Sequence, residues 1–365
     1  MNKGNYNVLL EKSIILPQNN YRLANFLSMD KASANIVFLG GSITMGYTIE
    51  GQDLVPYPQI VQKGLSTIIP QKGRARYYNF SFSCFNSILG ISLIEKKVLP
   101  LSPDLVFIEY AVNNGFDQEW AASFEGLIRR ILLHKPDTAI IIVCCIEVKG
   151  FTCEPYMQKI ATHYSLPLIS IKNALDEGLV QGFHWKDYSF DNVHPSRKGH
   201  QLIGDCILEL ITLSLSENPL PAYEYSMELP ASCYGDAFTY ARYIGVEDGP
   251  VVDYGSFNKR LDHDALIGGL EYDGTTNSPF IIEIKGCTIY LIYEINHEFK
   301  AMGQIKVNIE PGNIVHYVDG LSIYGWGNPT YYKLVHNKEN NYRFSMEMLP
   351  QDRKKNFTIY GFIIV

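Results

Sequence analysis

The sequence predicts a parallel-sheet α/β domain over residues 1–215 and an antiparallel β-sandwich over residues 216–365. Three observations carry this. Short continuous apolar runs alternate with helix-period stretches through the first part, and β-rich segments separated by turn signals fill the second. Composition also changes between them. Residues 1–215 hold 19 Lys+Arg and 19 Asp+Glu, whereas 216–365 hold 12 and 19, so the whole net charge of −7 lies in the second part. Tyrosine follows the same division, with 10 before the boundary and 15 after it. A chain of 365 residues also suits two domains, at about 150 residues each.

In chain order, the apolar runs lie at 36–39, 77–80, 105–108, 139–144 and 166–169. They are continuous rather than alternating, as expected of parallel strands buried on both faces. Helix-period stretches separate them at 57–69, 86–98, 118–134 and 154–164, and a last one covers 197–213. Such alternation calls for a parallel sheet with helices on both sides. In sheets of that kind the ligand crevice lies beyond the carboxyl ends of the strands. The polar segment 216–223, with two prolines, is expected to be a linker. Beyond it the segments 281–295, 304–309, 313–320, 331–336, 342–349 and 357–365 are β-rich, divided by turns such as Glu310-Pro311-Gly312-Asn313 and Asp319-Gly320. An antiparallel, jelly-roll-like β-sandwich follows from that pattern. There is no internal repeat.

Composition narrows the function. Charged residues make up 19% and AVILMFWYC 46%, which excludes a disordered chain. A net charge of −7 argues against nucleic acid as a partner. No run reaches about 18 apolar residues, so no membrane span is expected. The start, MNKGNYNVLLEKSIILPQNN, has a short apolar patch broken by Glu11 and Lys12, without a signal-peptide core. The seven cysteines form no C-x-x-C pair and no regular spacing, so neither a metal site nor a disulfide framework is indicated. A cytoplasmic protein with reduced thiols is expected.

Three strand-end loops hold the chemistry-bearing residues. Gly40-Gly41-Ser42-Ile43-Thr44 follows the run at 36–39; two glycines permit a tight turn that presents the Ser42 hydroxyl at the crevice. An ordinary strand-to-helix turn with a capping serine would have the same sequence. Glu109-Tyr110-Ala111-Val112-Asn113-Asn114 follows the run at 105–108 and offers two side-chain amides to a ligand oxygen, although asparagine also serves turns. Asp191-Asn192-Val193-His194-Pro195 precedes the last helix. A carboxylate three residues before a histidine can hold Nδ1–H while Nε2 faces outward, as a base for a serine requires. The competing reading makes Asp191 a helix cap.

Together these loops are more specific than any one, and the sequence over residues 34–212 resembles the SGNH, or GDSL-type, hydrolases. Gly40-Gly41-Ser42-Ile43-Thr44 is similar to that family's nucleophile block. Ala111-Val112-Asn113-Asn114 is similar to its Gly-x-Asn-Asp block, and Asp191-Asn192-Val193-His194 to its Asp-x-x-His block. Its oxyanion-hole glycine falls on Cys84 in Asn79-Phe80-Ser81-Phe82-Ser83-Cys84, with Ser83 as the one-residue alternative. The resemblance implies a flavodoxin-like three-layer α/β/α sheet. It also implies Ser42 as nucleophile, His194 as base, Asp191 as its orienting carboxylate, and an oxyanion hole from Ser42, Cys84 and Asn113. Cys84 in place of glycine keeps the backbone N–H that such a hole uses, while its side chain narrows the acyl pocket. Ala111 alters only backbone freedom, and Asn114 in place of Asp removes a charge but no catalytic group. The implied chemistry needs no metal and no cofactor.

The family's blocks do not separate carbohydrate acetylesterases, lysophospholipases, thioesterases and arylesterases. No long apolar segment follows Ser42, and a tyrosine-rich β-domain fits sugar handling, since flat aromatic faces bind sugar rings. Gly41, Asn114, His184, Trp185 and Trp326 are the further substrate-contact candidates. For His184 a packed aromatic loop, and for Trp326 an interface role, are competing readings. His134 and His163 are read as helix-surface residues, His200 as lacking an orienting carboxylate, and Asp104 as a turn residue. An SGNH domain followed by a β-sandwich resembles bacterial carbohydrate esterases, whose accessory domain can also support a homo-oligomer. The expectation is a serine-dependent esterase that removes a short acyl group such as acetyl from a small-molecule or oligosaccharide ester. An O-acyltransferase using the same residues and a non-catalytic glycan-binding protein are the alternatives.

Overall fold

The computed structural model describes residues 2–17, 20–29, 33–48, 54–69, 74–216, 229–246, 248–260, 268–274, 276, 278–297 and 301–365. The expected linker lies, beyond Ser216, outside these residues. Contacts divide the chain into two units, residues 1–90 with 96–239 and residues 91–95 with 240–365.

The first unit runs α1 (Lys3–Ser13), β1 (Ile14–Ile15), α2 (Tyr21–Ser28), β2 (Asn35–Gly40), α3 (Ser42–Met45), α4 (Tyr57–Ile68) and β3 (Arg76–Ser81). It continues with α5 (Ser87–Leu93), β4 (Leu105–Glu109), α6 (Gln118–His134), β5 (Ala139–Cys144), α7 (Glu154–His163), β6 (Leu168–Ser170), α8 (Ile171–Val180), α9 (Trp185–Tyr188) and α10 (Arg197–Ser216). The sheet order is β1-β6-β5-β4-β2-β3. Every pairing is parallel except the two-residue strip β1 against β6. Without that strip the order is the flavodoxin type, and it reverses at β2, which lies between β3 and β4.

Burial on both faces explains the continuous apolar runs of β2, β4, β5 and β6, whereas the run at 77–80 belongs to β3, an edge strand that is only partly buried. Ile36, Phe38, Leu105, Phe107, Ile141 and Val143 share one core with α1, α2, α4, α8 and α10. Their neighbours Val37, Leu39, Val106, Ile108, Ile140 and Ile142 point to the opposite face by the two-residue strand period, and they are equally buried. Met157 of α7 meets Cys144 on that second face, sulfur to sulfur at 3.8 Å.

Three helices of eight residues or more in the first unit go beyond the sequence expectation, besides the single-turn α3 and α9. α1 has one narrow apolar edge, yet Leu9 and Leu10 are buried, and Asn2 caps it by accepting the Asn5 N–H. α2 buries Leu23, Phe26 and Leu27. α8 begins directly after β6 with no intervening loop, so no turn signal separates the two, and Ser170 caps it by accepting the Asn173 N–H. The helix expected over 86–98 is shorter than its pattern, because α5 gives way to a π-turn at Ile94–Val98. Asp104 is more than a turn residue. It is buried, accepts the Asn35 N–H at 2.8 Å and pairs with Lys135 at 2.5 Å.

The second unit contains β7 (Arg242–Gly245), β8 (Val251–Asp253), β9 (Phe257–Arg260), β10 (Gly269–Tyr272), β11 (Phe280–Gly286) and β12 (Ile289–Asn296). Then follow β13 (Gln304–Glu310), β14 (Ile314–Asp319), β15 (Trp326–Val335), β16 (Asn340–Met348) and β17 (Thr358–Ile364). Two antiparallel sheets result, ordered β15-β12-β17-β10-β9, with β7 also on β17, and β14-β13-β16-β11-β8. Their facing residues, among them Leu291, Phe362, Val307 and Phe344, form one core. The expected strand at 331–336 in fact starts at Trp326. Pro329 lies within it and is tolerated because β15 is an edge strand, where a missing N–H breaks no ladder.

A glycine inside α6 shows how tightly the first unit is closed. An exposed Gly126→Ala change would gain about 1 kcal/mol of helix propensity. Here an added Cβ would lie 2.6 Å from Phe238 Cβ and 2.7 Å from its carbonyl carbon. Gly126→Ala is therefore expected to destabilise the protein by about 1–3 kcal/mol, read from the midpoint of guanidinium denaturation.

Candidate active site

The reversal of strand order at β2 opens the crevice in which the three sequence blocks meet. Ser42 begins α3 immediately after β2. Asn113 lies in the loop after β4, and His194 stands three residues before α10. Gly40 and Gly41 are required by close approach. A Cβ on Gly40 would sit 2.2 Å from Thr44 Oγ1, and one on Gly41 would sit 2.5 Å from Asn113 Oδ1. The bare backbone thus brings the loop after β4 against the residue preceding Ser42.

The loop before α10 is equally constrained. Asp191 Oδ1 accepts the N–H groups of Val193, at 2.9 Å, and His194, at 2.7 Å. That turn leaves Oδ2 for His194 Nδ1 at 2.6 Å. On the other side of the ring, Nε2 is 2.9 Å from Ser42 Oγ. Asp191 is not the cap of α10; Ser196 is, accepting the Gly199 N–H at 3.1 Å. The Ser189 hydroxyl donates to the His194 carbonyl at 2.8 Å and ties the loop back on itself. Burial raises the Asp191 pKa, but the hydrogen bonds from the His194 ring and the two N–H groups outweigh it and leave the pKa below the usual carboxylate value. A hydroxyl, an imidazole and an ionised carboxylate therefore touch in succession, an arrangement able to move a proton off the serine.

Of the two residues proposed for the glycine position of the oxyanion hole, only Cys84 has a left-handed backbone, with φ of 62°. It belongs to a turn closed by the Phe85 N–H on the Phe82 carbonyl, and the Phe82 N–H in turn binds the Gly40 carbonyl. Burial pushes the Cys84 thiol up to about 11, so it stays neutral. Asn113 Oδ1 is buried without a hydrogen-bond partner among the described residues.

The other substrate-contact candidates have structural engagements. Asn114 accepts the Ser87 N–H at 2.9 Å, and its NH2 group donates to Ser87 Oγ and to the Tyr156 hydroxyl, bracing the loop against α5 and α7. His184 caps α9 in a reciprocal pair with Asp187. Trp185 packs edge-on against Tyr188, with ring centroids 5.3 Å apart. Trp326 belongs to the second unit, where it opens β15 and is 46% exposed.

Several residues near the site escaped the sequence reading. Tyr47 and Phe190 flank the His194 ring, at centroid distances of 4.5 and 6.1 Å. Beneath α3, the fully buried Glu109 accepts the Thr44 hydroxyl at 3.0 Å, and Thr44 Oγ1 is 2.8 Å from the Tyr57 hydroxyl. The Tyr57 N–H donates to Nδ1 of buried His200 at 3.3 Å. Glu109 ends an apolar run, and nothing local in the sequence marks it as buried.

The chain thus combines an α/β unit, in which Ser42, His194 and Asp191 touch in succession at the switch point, with an antiparallel β-sandwich. Residues 38–202 match the GDSL-like lipase/acylhydrolase family model. Its fold is similar along the whole chain to the crystal structure of a two-domain esterase (CEX) active on acetylated mannans, with a TM-score of 0.85, 21% identity and 97% of both chains covered. The same esterase co-crystallised with mannopentaose gives a TM-score of 0.83, again at 21% identity and 97% of both chains. No curated protein matches the sequence.

Two predictions follow from this floor. Burial pushes the Glu109 carboxyl from 4.5 up to about 7, against opposing hydrogen bonds from Thr44 and Gly41. Burial first, and then the His194 charge, lower His200 from 6.5 to about 4. The stability that Glu109 gives in acid is lost as pH climbs from 4.5 through 7, whereas that of His200 is lost as pH falls from 6.5 through 4. Glu109→Gln keeps an acceptor for Thr44 without titrating. Relative to the unsubstituted protein, it should gain on the order of 2–3 kcal/mol between pH 4.5 and pH 7, measured by denaturant melts at both pH values. At position 84 a left-handed non-glycine residue is strained, so Cys84→Gly should raise stability by about 0.5–1 kcal/mol in the same melts.

Proposed function

We propose that this chain is a serine-dependent carboxylic ester hydrolase that removes a short acyl group, acetyl in the simplest case, from a carbohydrate. The observation that carries the reading is the continuous contact from Ser42 through His194 to Asp191. The match to the GDSL-like family model supports ester chemistry. The fold shared with an esterase active on acetylated mannans supports an acetylated sugar as the substrate class.

In this reading His194 Nε2 takes the Ser42 proton as Oγ attacks the ester carbonyl carbon. Asp191 fixes the ring so that Nδ1 carries hydrogen and Nε2 accepts. The developing oxyanion is met by the N–H groups of Ser42 and Cys84 and by the side-chain NH2 group of Asn113. His194 then gives its proton to the leaving sugar oxygen. A water, deprotonated by the same nitrogen, attacks the acyl-serine; the acyl–Oγ bond breaks as His194 returns that proton to Ser42 Oγ, and the carboxylic acid is released. The seven unpaired cysteines support a reducing, cytoplasmic setting.

Ser42→Ala and His194→Ala are expected to lower turnover of an acetylated oligosaccharide by about 10⁴-fold or more, and Asp191→Asn by about 10³–10⁴-fold, followed by acetate release. A fluorophosphonate probe should label the unsubstituted protein and not Ser42→Ala. Absence of labelling, or acetyl transfer to a sugar exceeding acetate release, would overturn the hydrolase assignment.

A further inference from the structure

We infer that Tyr47 forms the alcohol-side subsite of this enzyme, its ring receiving the sugar that departs from the ester. This inference rests on the esterase reading above. In that reaction the bond between the acyl carbon and the sugar oxygen breaks while Nε2–H of His194 gives its proton to that oxygen. The leaving oxygen must therefore come within about 3 Å of Nε2, so the alcohol passes alongside the imidazole.

Two aromatic rings border that imidazole. Phe190 is nearly parallel to it, at 19°, and half-buried. Tyr47 lies closer, with centroids 4.5 Å apart and planes at 42°, and it is 39% exposed. Of the two flanking rings, Tyr47 offers the more open surface to an incoming group.

The ring is fixed by the same turn that carries the nucleophile. The Tyr47 N–H donates to the Ser42 carbonyl at 2.9 Å. Gly46 just before it has φ of 86°, and a Cβ there would lie 2.4 Å from Pro56 Cγ, so only glycine suits the position. Ser42 and the Tyr47 ring are thus placed together before substrate arrives. The proposed oxyanion groups gather about Gly41, where Asn113 and the Phe85 carbonyl make close approaches. Tyr47 sits instead on the imidazole, which serves the leaving oxygen.

Its chemistry suits a sugar. The ring face is apolar and flat, matching the C–H face of a pyranose, while the phenol is a donor and acceptor for a neighbouring hydroxyl. Among the described residues the phenol has no hydrogen bond of its own.

The test compares two acetate esters that differ only in the alcohol, ethyl acetate and a mono-acetylated methyl hexopyranoside. Tyr47→Ala should lower kcat/KM for the sugar ester, through KM, about tenfold more than it lowers kcat/KM for ethyl acetate. Tyr47→Phe should keep most of the sugar affinity, because the ring face remains. Equal losses on both esters would overturn the inference, since the ring would then only steady His194. No change on either would overturn it as well. Fluorophosphonate labelling at the unsubstituted rate in both variants shows that they are folded with the nucleophile intact. Turnover persisting in Ser42→Ala would mark a different failure, that of the nucleophile assignment, and the inference would fall with it.

Discussion

Two missing side chains make this site. At Gly40 and Gly41 the end of β2 has no Cβ, and the space is taken by Thr44 on one side and the Asn113 amide on the other. Packing interiors have no slack to absorb even a methyl at such distances. Because both positions are bare, the loop after β4 closes onto the loop after β2, and Ser42 emerges at their junction. The turn that follows then fixes Tyr47 beside the imidazole. Position, rather than any single strong interaction, is what the first unit supplies.

Electrostatics divides the acids by environment. Asp191 is partly exposed and receives three N–H donors, so it is held ionised beside the His194 ring. Glu109 lies in the sheet's interior with a hydroxyl partner, and burial drives its carboxyl toward the neutral form. The same division appears in the histidines. His194 faces the serine, whereas His200, six residues on, is buried and kept neutral by desolvation. One acid and one histidine stand in line with Ser42; the others are buried beneath α3.

Much of this was legible in the sequence, for identifiable reasons. Four of the five parallel strands announce themselves because both faces are buried, which forces continuous apolar runs; β3, at the sheet edge, is only partly buried. The Asp191–His194 spacing is local, so a single turn brings the groups together. The missed features depend on partners far along the chain. α1 carries too few apolar residues to signal a helix until Leu9 and Leu10 meet the core. α8 is hidden because β6 enters it without a turn. Glu109 looks like any acid at the end of a strand until Thr44 and Tyr57 are seen above it.

Cys84 shows most clearly how sequence and structure inform each other. Its thiol is neutral and half-buried, so reactivity gives no reason for its presence. Its backbone, however, lies in the region that glycine occupies at least cost. A non-glycine residue persists in such a conformation only when the surroundings hold it there. Here the Phe82–Phe85 turn and its bond to the Gly40 carbonyl do so. The backbone geometry of a glycine is thereby kept although the position carries a side chain. Its N–H stays in the turn that ties this loop to the end of β2, so the substitution changes the side chain without changing the path of the backbone.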